Sequence, residues 1–263
     1  MEIILAAIVF VFGLILGSFA NVVIYRIPRK LSIVKPRSQC PFCQTQIRAL
    51  DNIPILSFIF LGGKCRSCGH KISWQYPIVE LINGLLFLMA FTVLIKNPEN
   101  IYLFLAAIYL STVFVMIFFI DLDFRIIPDS LSISGIIIGL GVSFLPGMRV
   151  RPVASLIGAV VGGLLFMAIA ELGDRIFKKE SMGGGDIKLA AMLGAFVGWK
   201  GLLLILFLAS LLGTVIGLTA LYMAKDKKTA RTIPFGPFLV SAGLIAFYWG
   251  EQIIAGYLKL ISR

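Results

Sequence analysis

Two acidic motifs and four cysteines are the residues of this chain whose types and spacing suit chemistry. The first motif runs Phe119-Ile120-Asp121-Leu122-Asp123-Phe124-Arg125-Ile126-Ile127-Pro128-Asp129, and the second Met182-Gly183-Gly184-Gly185-Asp186-Ile187-Lys188-Leu189. Asp121 continues an uncharged run of 21 residues, Asn100–Ile120. An ionisable group at such a depth is costly and faces a bundle interior or a wet cavity. Asp186 follows Gly183, Gly184 and Gly185, which permit left-handed backbone and remove side-chain bulk, so an extended second chain can come close. Two adjacent carboxylates resist double ionisation and hold one proton between them. The ionised member can draw a proton from a water that attacks a peptide carbonyl. The protonated member can polarise that carbonyl and later help the amine leave. Such a pair titrates as a unit, so neither aspartate is named the acid. The alternative is a structural ion pair with Lys188 or Arg125. Asp123 reads as a supporting or solvated residue, and Asp129 as a solvated boundary residue or the N-cap of the next helix.

The cysteines form two pairs, Cys40-Pro-Phe-Cys43 and Cys65-Arg-Ser-Cys68, with 21 residues between them. Paired C-x-x-C at this separation matches a closed tetrahedral zinc site of structural type, built from four thiolates. Alternatives are free thiols, a redox pair, or His70 in place of one cysteine. Metal would supply stability that so short a segment cannot obtain from a core of its own. His70 is the single histidine, so a Ser–His or Cys–His triad has little to work with, and no G-x-S-x-G occurs. H-E-x-x-H and P-loop motifs are also absent, which argues against a zinc protease and an ATP-driven transporter.

These residues must be positioned by membrane helices. Of 263 residues, 59% are hydrophobic and 14% charged, against about 25% charged in a soluble domain. The uncharged runs are Ile3–Tyr25, Leu81–Ile95, Asn100–Ile120, Ser130–Met148, Pro152–Ala170, Leu189–Trp199, Gly201–Ala224 and Thr232–Gly250. A helical span takes roughly 20 apolar residues. All but the second and sixth suffice alone, and the second suffices if it starts at Tyr76 and tolerates Glu80. The first lacks a basic n-region and a cleavage site, so it is expected to stay rather than act as a signal peptide. No fixed-period repeat stands out.

The segment 26–75 holds nine Lys/Arg against one acid, Asp51, and is cytoplasmic by the positive-inside rule. Eight spans then leave both termini outside and place 18 of the 24 Lys/Arg inside. If Leu189–Trp199 did not span, the cluster Lys225, Lys227, Lys228 and Arg231 would face outside. A tight turn at 198–201 lets it span. The expected fold is therefore all-α, a polytopic membrane protein of eight transmembrane helices with a zinc-bound cytoplasmic loop between helices 1 and 2. Residues 1–25 form helix 1, 26–75 the loop, and 76–263 a seven-helix peptidase domain. Both aspartates fall at the inner ends of their helices. The +11 formal charge reads as topology-setting loops rather than a nucleic-acid surface.

Taken together, the motifs resemble the bacterial type IV prepilin peptidases, also called leader peptidase/N-methyltransferases. Gly17-Ser18-Phe19-Ala20-Asn21-Val22-Val23-Ile24-Tyr25-Arg26-Ile27-Pro28 is similar to the family's opening signature. The C-x-x-C pairs, Asn52-Ile53-Pro54, Tyr76-Pro77-Ile78-Val79-Glu80, both aspartate motifs and Pro234-Phe235-Gly236-Pro237 follow in the family's order. The resemblance implies Asp121 and Asp186 as the catalytic pair, with Gly183, Gly184, Gly185, Asp123 and Lys188 supporting it. It implies prepilins or pseudopilins as substrates, cut between a basic leader and an apolar helix in the inner membrane. It also implies N-methylation with S-adenosylmethionine, in the first loop and its flanks. Glu80 is the candidate cofactor-binding residue, because an acid inside a helix needs a reason. The alternative for Glu80 is an ion pair with Arg26 or Lys71. Rivals are the signal-peptide peptidase and presenilin class, which shares G-x-G-D, and an ion-coupled transporter. Oligomeric state is not legible in the sequence.

Overall fold

The computed structural model describes residues 1–95, 100–179, 181–223 and 234–262. The basic cluster Lys225, Lys227, Lys228 and Arg231, with Lys96 and Arg263 from the charge count, lies outside the described residues. Among the described residues, eight α-helices and one short 3-10 helix occur in the order α1 (Glu2–Arg26), the 3-10 turn Ala49–Asn52, α2 (Leu56–Phe60), α3 (Gln75–Leu94), α4 (Ile101–Phe124), α5 (Asp129–Val142), α6 (Pro152–Phe177), α7 (Gly184–Met223) and α8 (Gly236–Ile261). Among the described residues there is no strand, only two isolated bridges. Of these described helices six (α1, α3, α4, α6, α7 and α8) are long and apolar enough to cross a membrane. The chain is thus a multi-pass membrane protein. It divides into two compact units, Met1–Met116 and Ile117–Arg263.

In the first unit α1 and α3 pack antiparallel through small residues. A methyl at Gly13 would come within 2.8 Å of the Gly84 Cα, and one at Gly17 within 2.7 Å of the Glu80 Cα. The Gly13-x-x-x-Gly17 spacing lets the backbones approach where lipid offers no hydrophobic drive between helices. Interhelical hydrogen bonds complete the seam. Asn83 Nδ2 donates to the Gly13 carbonyl (2.7 Å) and Asn21 Nδ2 to the Tyr76 carbonyl (3.0 Å).

In the second unit α7 packs against α5, α6 and α8. Gly158 of α6 meets Gly194 of α7 backbone to backbone, and Ser155 Oγ donates to the Ala195 carbonyl at 2.6 Å. Although α7 has 40 residues, its helix breaks at Gly198 (φ 69, ψ 175). A straight helix would carry Gly213 about 40 Å from Asp186 at 1.5 Å per residue. Instead, a methyl on Gly213 would lie 3.3 Å from the Phe238 ring. Phe238 is two residues past Gly236, which bonds Asp121. The chain therefore reverses at Gly198, a position open to glycine because its φ is positive.

One apolar run does not become a full helix. The uncharged run Ser130–Met148 is helical only to Val142. Pro146 disfavours helical backbone at the residue before it, and Gly147 takes φ 75, so the last six residues form turns. Asp129 is also not an N-cap. It is the first residue of α5, behind Pro128, and makes no capping bond.

Candidate active site and metal centre

Asp121 sits in the last turn of α4, which runs past Ile120 to Phe124. It is buried, at 5% exposure. Its Oδ2 accepts the backbone N–H of Gly236 at 3.0 Å. Gly236 opens α8, where unpaired N–H groups and the helix dipole favour an acceptor. A methyl on Gly236 would collide with the Asp121 carboxylate, so the carboxylate needs glycine there.

Asp186 sits in the first turn of α7, its N–H bonded to the Gly183 carbonyl at 3.1 Å. Its Oδ1 is buried without a hydrogen-bond partner among the described residues. A buried carboxylate oxygen left open is costly unless a proton, water or substrate group fills it. The two motifs meet where Ile127 packs on Gly185, and the Asp121 carboxylate is close enough to act electrostatically on Asp186. Ile127, itself in the first motif, packs between Gly185 of the second and Gly236 of α8. A methyl on Gly185 would lie 2.9 Å from the Ile127 Cβ, and one on Gly236 would lie 3.3 Å from its Cδ1.

The glycines serve by lacking bulk rather than by left-handed backbone, since none of Gly183, Gly184 or Gly185 has positive φ. Gly185 admits Ile127, while Gly184 faces open space within 4 Å. Lys188 pairs with Asp129, Nζ to Oδ1 at 2.6 Å, and ties the two motifs at the surface. That pair is half-exposed, so it contributes little more than about 1 kcal/mol. It also takes up Lys188, which does not ion-pair with Asp186. Asp123 is exposed.

The four cysteines converge. The Sγ atoms of Cys40, Cys43, Cys65 and Cys68 all lie within 4.8 Å of one another, with Cys40 and Cys68 at 3.9 Å. A tetrahedral ion with bonds of about 2.3 Å sets sulfur–sulfur edges of roughly 3.8 Å, so the cluster fits a metal ion. His70 is not in the set. Its ring stacks on Phe42 with centroids 3.4 Å apart. The two knuckles are copies of one turn, offset by 25 residues. Gln44 N–H bonds the Cys40 carbonyl as Gly69 N–H bonds that of Cys65, and Cys40 N–H bonds Thr45 as Cys65 N–H bonds His70. Gln44 and Gly69 both have positive φ.

The knuckle turns aim donors at sulfur. Hydrogen bonds from Thr45 bring the Cys43 thiol down to about 6, and the backbone N–H groups of Cys68 and Ser67 lower that of Cys65. Thiolates are the metal-binding form. Arg66, inside the second knuckle, makes a forked bond to Asp51 (2.6 Å). That guanidinium holds the Asp51 carboxyl below the usual carboxylate range.

Glu80 is buried at 8% exposure and pairs with neither Arg26 nor Lys71. Its Oε2 accepts the backbone N–H of Ile55 at 2.8 Å, and the Ser18 side chain also bonds it. Arg26 is occupied elsewhere, donating to the carbonyls of Ser32 (2.8 Å) and Pro36 (2.7 Å). Glu80 lines a cavity of about 950 Å³ together with Ser18, Asn21, Tyr25, Phe42 and His70. That volume is at the upper end of the range for drug-sized ligands.

Comparison with known proteins identifies the family. Residues 11–94 match the bacterial peptidase A24 N-terminal domain, and residues 108–218 match the type IV leader peptidase family. The chain is 37% identical over 280 residues to a prepilin leader peptidase/N-methyltransferase of Aeromonas salmonicida (strain A449), covering 97% of this chain and 94% of that one. It is 37% identical over 259 residues to the protein of that name from Bacillus subtilis (strain 168), covering 97% and 98%. With the Myxococcus xanthus (strain DK1622) protein of that name it shares 42% over 227 residues, covering 86% and 66%. No solved structure matches the chain. With both halves matched in order and relatives aligned along nearly its full length, the chain belongs to the type IV leader peptidase family.

Proposed function

We propose that this protein cleaves the basic leader from type IV prepilins or pseudopilins and then N-methylates the new amino terminus. Asp121 and Asp186 are the catalytic pair. The observation that carries the reading is the meeting of two aspartates from distant motifs, one held by Gly236 N–H and the other with an open buried oxygen. A water between them loses a proton to the ionised carboxylate and attacks the scissile carbonyl. The carboxylic acid donates to the carbonyl oxygen, and the amine leaves with a proton. Gly183 and Gly184 leave room for an extended peptide and Gly185 seats Ile127, while Asp123, Asp129 and Lys188 border the site.

The Cys40, Cys43, Cys65 and Cys68 cluster would hold one zinc ion that cross-links the loop. S-adenosylmethionine would supply an electrophilic methyl group, and the cavity lined by Phe42, His70, Tyr25 and Glu80 has the size and aromatic walls to receive it. Residues 26–75 thus serve the methylase function and 76–263 the peptidase function. We place the protein in the inner membrane with eight crossings, counting α5 once and α7 twice about Gly198. The start of α1 and the end of α8 then lie outside, and the zinc loop and aspartates on the cytoplasmic side, as the basic loops require.

Purified protein incubated with a prepilin, with and without S-adenosylmethionine, tests the whole reading by intact mass. The expected products are the free leader and mature pilin, the latter heavier by one methyl group only when the methyl donor is present. An uncut prepilin would refute the peptidase reading, and a cut pilin that never gains the methyl would refute the methylase reading.

A further inference from the structure

Ile55 has φ 60 and ψ −50, a conformation that strains a β-branched residue. Leu56 N–H reaches back to the Pro54 carbonyl at 2.6 Å, closing a γ-turn around Ile55. The turn aims the Ile55 N–H at Glu80 Oε2. Strain at such a site persists only when its surroundings over-determine it, and what this strain secures is the direction of one buried carboxylate.

Arg26, Lys35, Arg48, Arg66 and Lys71 also line the cavity, yet among the described residues none of them forms an ion pair with that carboxylate. Ser18 and Asn21 lie about one turn apart on α1, facing Tyr76 and Glu80 on α3. Asn21 spends its NH2 on the Tyr76 carbonyl, so its side-chain oxygen is the end left to accept. Glu80 accepts from the Ile55 N–H and from the Ser18 side chain, and an ionised carboxylate offers about four acceptor positions, so about two stay open. Asn21 and Glu80 are at most 8% exposed, and both line the cavity with Ser18. The cation nearest along α1, Arg26, is turned onto carbonyls of the loop, and Asp51, the cavity's other carboxylate, is paired with Arg66. A buried carboxylate with no ion-pair partner among the described residues is an expensive arrangement that a bound cation would relieve.

We infer that Ser18, Asn21 and Glu80 form a site for a primary ammonium group, the new α-amino terminus of the cleaved pilin. This rests on the N-methylation reading and gives Glu80 to the methyl acceptor rather than to the methyl donor. Three oxygen acceptors match the three N–H donors of an ammonium. A sulfonium has no N–H to offer them. The α-ammonium of the methyl donor brings its own carboxylate, which would repel Glu80. An amine can accept a methyl only after losing a proton, and the Glu80 carboxylate is placed to receive it.

The test uses the full-length protein in nanodiscs and two synthetic peptides carrying a mature pilin amino-terminal segment, one with a free α-amine and one N-acetylated. Binding is measured by calorimetry, with and without S-adenosylmethionine. The free amine should bind roughly tenfold or more tightly, as charge-assisted hydrogen bonds warrant, and the Glu80→Gln protein should lose that preference. S-adenosylmethionine should bind alongside the peptide. Equal binding of both peptides by the unaltered protein would overturn the assignment, and that result does not depend on whether the variant folds. Displacement of the peptide by S-adenosylmethionine would give the site to the methyl donor, also overturning it. Methylation in the mass assay without amine preference would sink this site while leaving the methylase reading intact. Amine preference without methylation would sink that reading and leave the site.

Discussion

Asp121→Asn and Asp186→Asn should each abolish prepilin cleavage, lowering kcat/KM by at least about a thousandfold. General acid–base chemistry alone is worth roughly 10²–10⁴-fold, and both roles fail once one carboxyl cannot exchange a proton. Asparagine keeps the size of the side chain. At position 121 its oxygen can still accept the Gly236 N–H, so a loss would reflect chemistry rather than a broken contact. At position 186 the orphaned Oδ1 would be replaced by a neutral amide end, with little cost to folding. Initial rates on a purified prepilin, beside the amount of inserted protein, check both variants. Asp123→Asn should be milder, because Asp123 is exposed and Asp121 and Asp186 are the aspartates that interact. Normal processing by either main variant would remove that residue from the catalytic pair.

Loss of the metal should have the second largest effect. About one zinc per chain should copurify, and Cys40→Ser or Cys65→Ser should reduce it to near zero. Zinc binding in small Cys/His domains is worth an apparent ~10–16 kcal/mol, far more than the forked Asp51–Arg66 pair could replace at its exposed position. The segment between α1 and α3 has little other core: among the four cysteines only Cys40 is buried, and Phe42, Leu50, Phe60 and Trp74 are all exposed. Without metal the segment should become sensitive to protease, and methylation should fail as the cavity that the knuckles line is lost. Metal analysis and limited proteolysis of the same preparations measure both. Full protection of a zinc-free variant would show that the loop stands without its ion.

The sequence made the chemistry legible and left much of the positioning hidden. An aspartate at the end of an uncharged run and another behind three glycines are visible as residue types, and the C-x-x-C spacing announces a cluster. The reversal at Gly198 was legible too, because charge on the following loop demanded a turn near 198–201. Other features are set by contacts between distant segments. Gly236 appeared only as part of a proline–phenylalanine–glycine–proline signature, and nothing in that string says that its N–H meets Asp121. Ile127 looked like one more apolar residue, yet it fits between Gly185 and Gly236. For Glu80 the sequence suggests a cofactor role and, as the alternative, predicts an ion pair with Arg26 or Lys71. Backbone groups took both ends of that prediction instead: Ile55 N–H went to the carboxylate and loop carbonyls to the guanidinium. The run after Ser130 was uncharged throughout, but hydrophobicity alone does not show that Pro146 and Gly147 end a helix early.

The pH dependence of kcat/KM for prepilin cleavage tests the shared-proton pair most directly. One carboxylate must be ionised and the other protonated, so the profile should be bell-shaped. It should fall on the acid side as the base is neutralised and on the alkaline side as the shared proton is lost. A profile with a single limb, unaltered by substitution of Asp121 or Asp186, would contradict the account.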